Sequence, residues 1–404
     1  MCSMTGFLLK SRAAARTGLG GHATVPRVRQ DLVCTVAATG FTEWRALEGT
    51  WRDLERDATP AFYVTYAWLD AYWHTQGTRN EPLVFAVHDR SGRLVALAPF
   101  ETLSARLVPR LRIRTTTLRF PCRREREGVE FLVRPSYEDA VAETIATYLR
   151  AHRRGWQGLH LTEAQADGFI VRAFQRTFEG DPRHRLHIVQ RPPTPMVRLS
   201  GTWPEYLAGL SRVTRKGILR SWRQLEDMGA RFRRLDRPDE VRAALAFLID
   251  TKSARLRMVA DGSVYERPEV RAFLERAVDG TLPSGRLVCT AVEIDGELAA
   301  VDLGFRIGER AWTFLDAFDP RWHALGLGGR LVEHAIREGL ASGATELWLG
   351  QGDSEFKERY ASELRANVDL LVERRWVTAT TKAIACLRSA SQRTAGARTG
   401  DRVV

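Results

Sequence analysis

Trp312-Thr313-Phe314-Leu315-Asp316-Ala317-Phe318-Asp319-Pro320-Arg321-Trp322-His323-Ala324-Leu325-Gly326-Leu327-Gly328-Gly329-Arg330 is the stretch that decides the fold. An apolar run ends in a short Asp-Pro segment, which opens into a glycine loop and then a sequence of helical period. Leu327, Leu331, Val332, Ala335, Ile336 and Leu340 fall on one helical face, with Arg330, Glu333, Arg337 and Glu338 largely off it. Gly343 is placed to stop that helix. Glu346-Leu347-Trp348-Leu349 then reads as a second buried strand. The order is strand, glycine turn, helix, strand.

Such a turn has two readings. Gly326 and Gly328 carry no Cβ, so the backbone can bend tightly and approach a bulky anion. The first helical turn has N–H groups without internal partners and a positive dipole end, which suits a phosphate or pyrophosphate. Alternatively, the glycines only tighten the passage from strand to helix. The loop is not a P-loop, because no Lys-Ser/Thr follows the last glycine, and it lacks the third glycine of the dinucleotide fingerprint.

The order of hairpin, strand, Gly-x-Gly loop, helix and strand resembles the core of the GNAT acyltransferases. Their pyrophosphate loop reads Gln/Arg-x-x-Gly-x-Gly/Ala; this chain has His323-x-x-Gly326-x-Gly328, with His at the first position. The closing Gly352-Asp353-Ser354-Glu355-Phe356-Lys357 is similar to the ending of the FemAB-like, cellulose-biosynthesis-associated (CelD/BcsL-like) acetyltransferases. A weaker likeness spans residues 40–375. The resemblance implies an α/β chain with a mixed sheet, built as two tandem GNAT-like halves of acyl-CoA N-acyltransferase fold. It implies that His323, Leu325, Gly326, Leu327, Gly328, Gly329 and Arg330 hold the pyrophosphate of acetyl-CoA or another acyl-CoA. It also implies that backbone at Ala317 and Phe318 pairs with the pantetheine arm.

At 404 residues two domains are the default. The net charge of +12 is concentrated at the ends. Residues 1–30 carry +5 with no acid, and residues 381–404 carry +4, so the body is only mildly basic. That weakens an inference to nucleic acid. Cys2, Cys34, Cys122, Cys289 and Cys386 are scattered and form no C-x-x-C, which argues against a disulfide framework or zinc site and for a reducing, cytoplasmic setting. The early apolar run Gly6–Leu9 is too short for a signal core, and no stretch approaches a membrane span. No histidine cluster has metal-ligand spacing, so no metal is expected.

Residues 1–38 are expected to be a disordered basic tail, 39–190 a degenerate GNAT-like domain, 191–380 the acyltransferase domain and 381–404 a second disordered basic tail. The stiff Arg191-Pro192-Pro193-Thr194-Pro195 marks the boundary. In the first half, Trp44, Leu47, Trp51 and Leu54 predict one helix and Tyr66, Leu69, Tyr72 and Trp73 another, their aromatic faces serving either the core or a substrate. Strands at 83–87, 94–100 and 106–120 follow, then a strand at 129–133, a helix at 138–152, a strand at 159–161, a helix at 169–178 and a strand at 186–189. The first half thus repeats the element order of the second but has Arg134-Pro135-Ser136-Tyr137-Glu138 in place of the glycine loop. One acyl-CoA site is therefore expected, in the second half. There, Thr202 to Glu205 reads as a capping box and the helix after Ser211 carries Arg212, Arg215, Lys216, Arg220 and Arg223, either a solvated face or an anion-binding one. Thr251–Asp261 reads as a substrate loop, and Asp295-Gly296 as a type I′ hairpin turn.

Acyl transfer from a thioester to an amine or hydroxyl needs a base, a donor for the oxyanion and an acid for the thiolate, with no covalent enzyme intermediate. Asp316 and Asp319 are the candidate bases, or a structural acid and a turn residue. Lys357 is a candidate for holding a substrate anion or the oxyanion, and Tyr360 for the thiolate's acid; a plain helix surface is the other reading of both. Asp353 and Glu355 are further acids near the same mouth. The acceptor is expected to be a small molecule or saccharide-linked. Two alternatives stay open: an aminoacyl-tRNA-dependent transferase of FemABX type, and a non-catalytic binding protein of this fold in polysaccharide biosynthesis.

Overall fold

The computed structural model describes residues 31–76, 80–106, 114–121, 128–152, 155–257, 263–350 and 354–377. Residues 1–30, Gly352, Asp353 and the C-terminal tail of the sequence reading lie outside that set, and nothing is described of the Glu355 side chain. Strands β1 (Val33–Ala38), β2 (Glu81–His88), β3 (Leu94–Arg106), β4 (Arg114–Arg119), β5 (Leu132–Val133), β6 (Gly158–Gln165) and β7 (His184–Arg198) belong to the first half. Strands β8 (Arg231–Leu235), β9 (Leu287–Ile294), β10 (Glu297–Ile307), β11 (Arg310–Phe318), β12 (Glu346–Trp348) and β13 (Glu363–Arg374) belong to the second.

All join one mixed sheet in the order β1-β2-β3-β4-β6-β13-β7-β12-β11-β10-β9-β8, with β5 added to β3. The order shows an exchange of final strands. β13 of the second half lies beside β6 of the first, and β7 of the first lies beside β12 of the second. The two exchanged strands pair with each other along their length, so the halves meet in a continuous sheet. This is the mixed α/β, two-half architecture expected from the sequence.

The boundaries differ from the sequence reading. Residues 33–38, expected in the tail, form β1, because Cys34 to Val36 pair in register with β2. Arg191–Pro195, read as a linker, is the middle of β7. Its prolines are tolerated where the ladder shifts register opposite Arg365 and Asn367, and the Asn367 side-chain amide donates to Pro192 O and Thr194 Oγ1. The first helical run breaks at Leu47 into Phe41–Ala46 and Glu48–Asp57. Thr251–Arg257, read as loop, is the last turns of the helix Pro238–Arg257.

Local chemistry accounts for the elements that were read correctly. Thr202 and Glu205 make the capping box, and Ser211 Oγ accepts the Thr214 amide to start the helix Arg212–Asp227. Asp295 and Gly296 both have positive φ, at 54° and 78°, as a type I′ turn requires. Trp44, Trp51, Trp68 and Trp73 are fully buried, so the aromatic stripe is core. That core crosses the halves: Phe62 stacks on Phe305 of β10 with centroids 4.2 Å apart. The helices Tyr66–Gln76 and Pro268–Thr281 approach so closely that a Cβ on Gly280 would lie 3.2 Å from Ala67 Cβ. Among the described residues no helix is long and apolar enough to cross a membrane.

Candidate active site

β11 and β12 run parallel for only three residue pairs, Arg310–Trp312 against Glu346–Trp348. β11 then continues to Phe318, whereas the chain after β12 turns away at Gly350, where φ is +65°. The two strands splay. A bulge between Leu303 and Gly304 bends β11 at the same level, and a Cβ on Gly304 would meet Trp312 O at 2.3 Å, so this position requires glycine.

The glycine turn closes one end of the splay. Asp319 caps the short helical turn Pro320–Leu325, accepting the Arg321 amide at 2.9 Å. Gly326 takes φ 59°, ψ 41°, and the helix Leu327–Ala341 follows. The Gly329 and Arg330 amides return to the Gly326 carbonyl, leaving those of Leu327 and Gly328 at the outward end of the helix. His323, Ala324 and Gly326 are exposed and Gly328 is half-buried, so the bend lies at the surface. A Cβ on Gly326 would meet nothing within 4 Å, and one on Gly328 only the Phe318 ring at 3.7 Å. Gly329 faces inward, where a Cβ would lie 3.1 Å from the Tyr360 hydroxyl. The turn therefore offers bare main chain outward and packs tightly inward. Leu325 and Leu327 are buried and anchor the turn to the core. Any contact they make with a ligand is through backbone.

Three expected roles are corrected here. The Arg330 side chain points into the protein and pairs with fully buried Glu333. Tyr360, also buried, donates to Glu333 at 2.9 Å, and Trp222 Nε1 donates to the same carboxylate at 2.6 Å. Burial, and then the Glu333 charge, push the Tyr360 phenol well above its ordinary value. Tyr360 is thus a brace beneath the turn rather than an acid in the cleft. Asp319 is corrected too: hydrogen bonds from the Arg321 side chain and amide hold its carboxyl below the usual range, so it is a turn residue and a poor base.

The remaining expected residues meet a cluster at the splay. Asp316 of β11 lies directly across from Asp302 of β10. Asp302 is 5% exposed, and burial, reinforced by the Asp316 charge, pushes its carboxyl up to about 8, with Lys357 and Lys252 pulling the other way. Lys252 Nζ donates to the Asp316 carbonyl at 2.8 Å, and Lys357 Nζ to the Leu349 carbonyl at 2.6 Å. The two ammonium groups thus mark the two walls of the splay. Asp302 was missed in the sequence, where its signal was a lone acid inside the apolar run Leu298–Phe305. Lys252 was read as one of the basic residues of a substrate loop at Thr251–Asp261; the helix Pro238–Arg257 delivers it instead. Ala317 is buried and Phe318 half-buried at the end of β11, beside the bend. Among the described residues no group of His, Cys, Asp and Glu is arranged to hold a metal ion.

A basic helix flanks the turn. Leu225 of Arg212–Asp227 packs with Leu325, Leu327 and Leu331, and Ile218 with Val332 and Ile336. Arg212, Lys216, Arg220 and Arg223, at helical spacing, stay exposed along the outer face.

Residues 212–358 match the model of an acetyltransferase (GNAT) domain. The GNAT match covers the basic helix, the splay and the glycine turn. The crystal structure of FemX superposes on 80% of this chain and 95% of its own with a TM-score of 0.55 and 12% identity. The C-terminal domain of an Agrobacterium fabrum protein described as a lysylphosphatidylglycerol synthetase covers 85% of this chain and 95% of its own, with a TM-score of 0.50 and 12% identity. At these identities the likeness is one of fold. No curated protein sequence matches the chain. The CelD/BcsL-like branch is not distinguished by these matches.

Proposed function

We propose that this chain is an acyl-CoA-dependent acyltransferase that passes the acyl group directly to an amine or hydroxyl. The observation that carries the reading is the surface bend at Gly326, glycine-lined outward, opening a 15-residue helix beside the splay. The residues fit a pyrophosphate: amides of Leu327 and Gly328 point to the helix end, and no acid stands in the first turn. The basic face of 212–227 adds positive potential beside it.

In this reading Asp302 acts as base in its ionised form, whose share rises as pH approaches about 8, and then accepts the proton that the nucleophile loses as its bond to the carbonyl carbon forms. The carbon–sulfur bond breaks and the thiolate takes up a proton. Asp316 raises the proton affinity of Asp302, and Lys252 fixes the β11 backbone beside both. Lys357 holds the end of β12 in place, which keeps the splay open at a set width.

A thermal-shift titration with acetyl-CoA tests this. At a hundredfold excess over Kd, stability should rise by about 2.7 kcal/mol. Gly328→Val should stay folded, because a Cβ there makes ordinary contact, and should lose the shift. An equal shift in that variant contradicts the site. The exposed basic stripe also favours a second reading, an aminoacyl-tRNA donor as in the resemblance to FemABX proteins. Strongly salt-dependent tRNA binding without acetyl-CoA binding would support it.

A further inference from the structure

Four cations of the helix Arg212–Asp227 have no counter-charge. Arg212, Lys216, Arg220 and Arg223 are exposed, and among the described residues none of their side chains makes a hydrogen bond or an ion pair. Exposed arginines elsewhere are matched: Arg233 pairs with Glu240 and Glu293, and Arg321 with Asp319 and Glu297. Arg212, Lys216 and Arg223 share one stripe at helical spacing. No acid interrupts residues 212–224; Glu226 and Asp227 stand only at the C-terminal end of the helix.

The stripe is held at a fixed place beside the glycine turn. Leu225 packs with Leu325 and Leu327, and Ile218 with Val332 and Ile336, but apolar contacts are non-directional and let one helix slide on another. Trp222, between them, supplies the direction. Its Nε1 donates at 2.6 Å to Glu333, which is fully buried on Leu327–Ala341 and also accepts from Tyr360 and Arg330. Arg337 lies 4.8 Å over the same indole ring. The stripe is thus tied to the helix that opens from Gly326.

We propose that this stripe is a second phosphate subsite, and that it takes the 3′-phosphate of coenzyme A. This rests on the acyl-CoA reading, in which the amides of Leu327 and Gly328 receive the pyrophosphate. The carrier bears a third phosphate on its ribose, a monoester with about two negative charges at neutral pH. Such a group suits long, unpaired cations that can gather around it from one helix face. Trp222 acts as a positioning residue: through Glu333 it sets how far along Leu327–Ala341 the stripe lies.

The test is calorimetric titration of the full chain with coenzyme A and with dephospho-coenzyme A, which lacks only that phosphate. The wild type should bind coenzyme A about tenfold more tightly. Lys216→Glu combined with Arg223→Glu, both at exposed positions, should bring the two affinities to within about twofold. Trp222→Phe keeps a ring and removes the N–H, and should cut the preference to about threefold or less. A Trp222 that only stabilises the fold would lower the melting temperature in this variant and leave the preference intact, which overturns its positioning role. Equal affinity for the two carriers in the wild type overturns the subsite and leaves the acyl-CoA reading standing. A preference that survives the double substitution overturns the subsite too, because the phosphate is then held elsewhere. Failure of both carriers to bind overturns the acyl-CoA reading and the subsite with it.

Discussion

The two halves of this chain make the same turn and give it opposite electrostatics. In each, two parallel strands pair over three residues and a helix connects them: β4 with β6 around the helix Glu138–Ala151, and β11 with β12 around Leu327–Ala341. In each, a left-handed residue stands just before the helix, Ser136 at φ 72° and Gly326 at φ 59°. Absence of glycine therefore did not remove the bend from the first half. The first helical turn is what differs. It carries Glu138 and Asp139 in the first half and no acid in the second. Two carboxylates at a helix start occupy the place an anion would take and repel it. On the proposed reading, the second turn can take an anion and the first cannot, although both halves bend before the helix.

The largest effect should come from giving the second turn the character of the first. Gly328→Glu is expected to fold and to weaken acetyl-CoA binding by about a hundredfold or more, measured by calorimetry. Unchanged affinity would show that the turn is not the anion site and dissolve the contrast.

The buried acids sharpen the comparison next. Glu101 of β3 is fully buried, but Arg119, Tyr72 and Asn80 all donate to it. Asp302 of β10 faces another acid instead. Asp302→Asn should lower kcat about a hundredfold, with little change in acetyl-CoA affinity. Its stability should also differ in pH dependence. Folding protonates Asp302 between its ordinary value of 3.8 and about 8, so wild-type stability is lost as pH rises through that window. The advantage of the Asn variant should grow by up to about 1.4 kcal/mol per pH unit across it, read from denaturant melts. A pH-independent gap contradicts the raised value. Glu101→Gln should do the reverse: a loss of about 3 kcal/mol in stability, with kcat unchanged below the melting temperature. A fall in kcat would place the first half in the chemistry.

The smallest effect belongs to the basic face. Arg220→Glu should weaken acetyl-CoA binding a few-fold at low salt and hardly at all at high salt, because exposed charges are screened. A salt-independent loss would mean a direct contact.

Much of this was legible in the sequence, for identifiable reasons. Gly326, the Asp295-Gly296 turn and the Thr202 capping box are positions where backbone geometry admits few residue types, so local sequence shows them. The exchange of β7 and β13 was not legible, because each pairs with residues of the other half and leaves no local trace. Pro192, Pro193 and Pro195 suggested a linker, since only the opposing bulge and Asn367 make them acceptable in a strand. Arg330 and Tyr360 fit the expected site in spacing, but a shared buried partner, Glu333, turns both inward. Lys357 and Asp316 do reach the splay; the acid that burial tunes, Asp302, was hidden inside an apolar run.

Selective nitrogen-15 labelling of glycine, with amide shifts followed on adding coenzyme A, is the most direct test. The account predicts that Gly326, Gly328 and Gly329 move most, and that Gly328→Glu abolishes the response. Coenzyme A that binds by calorimetry while those three signals stay still would contradict it.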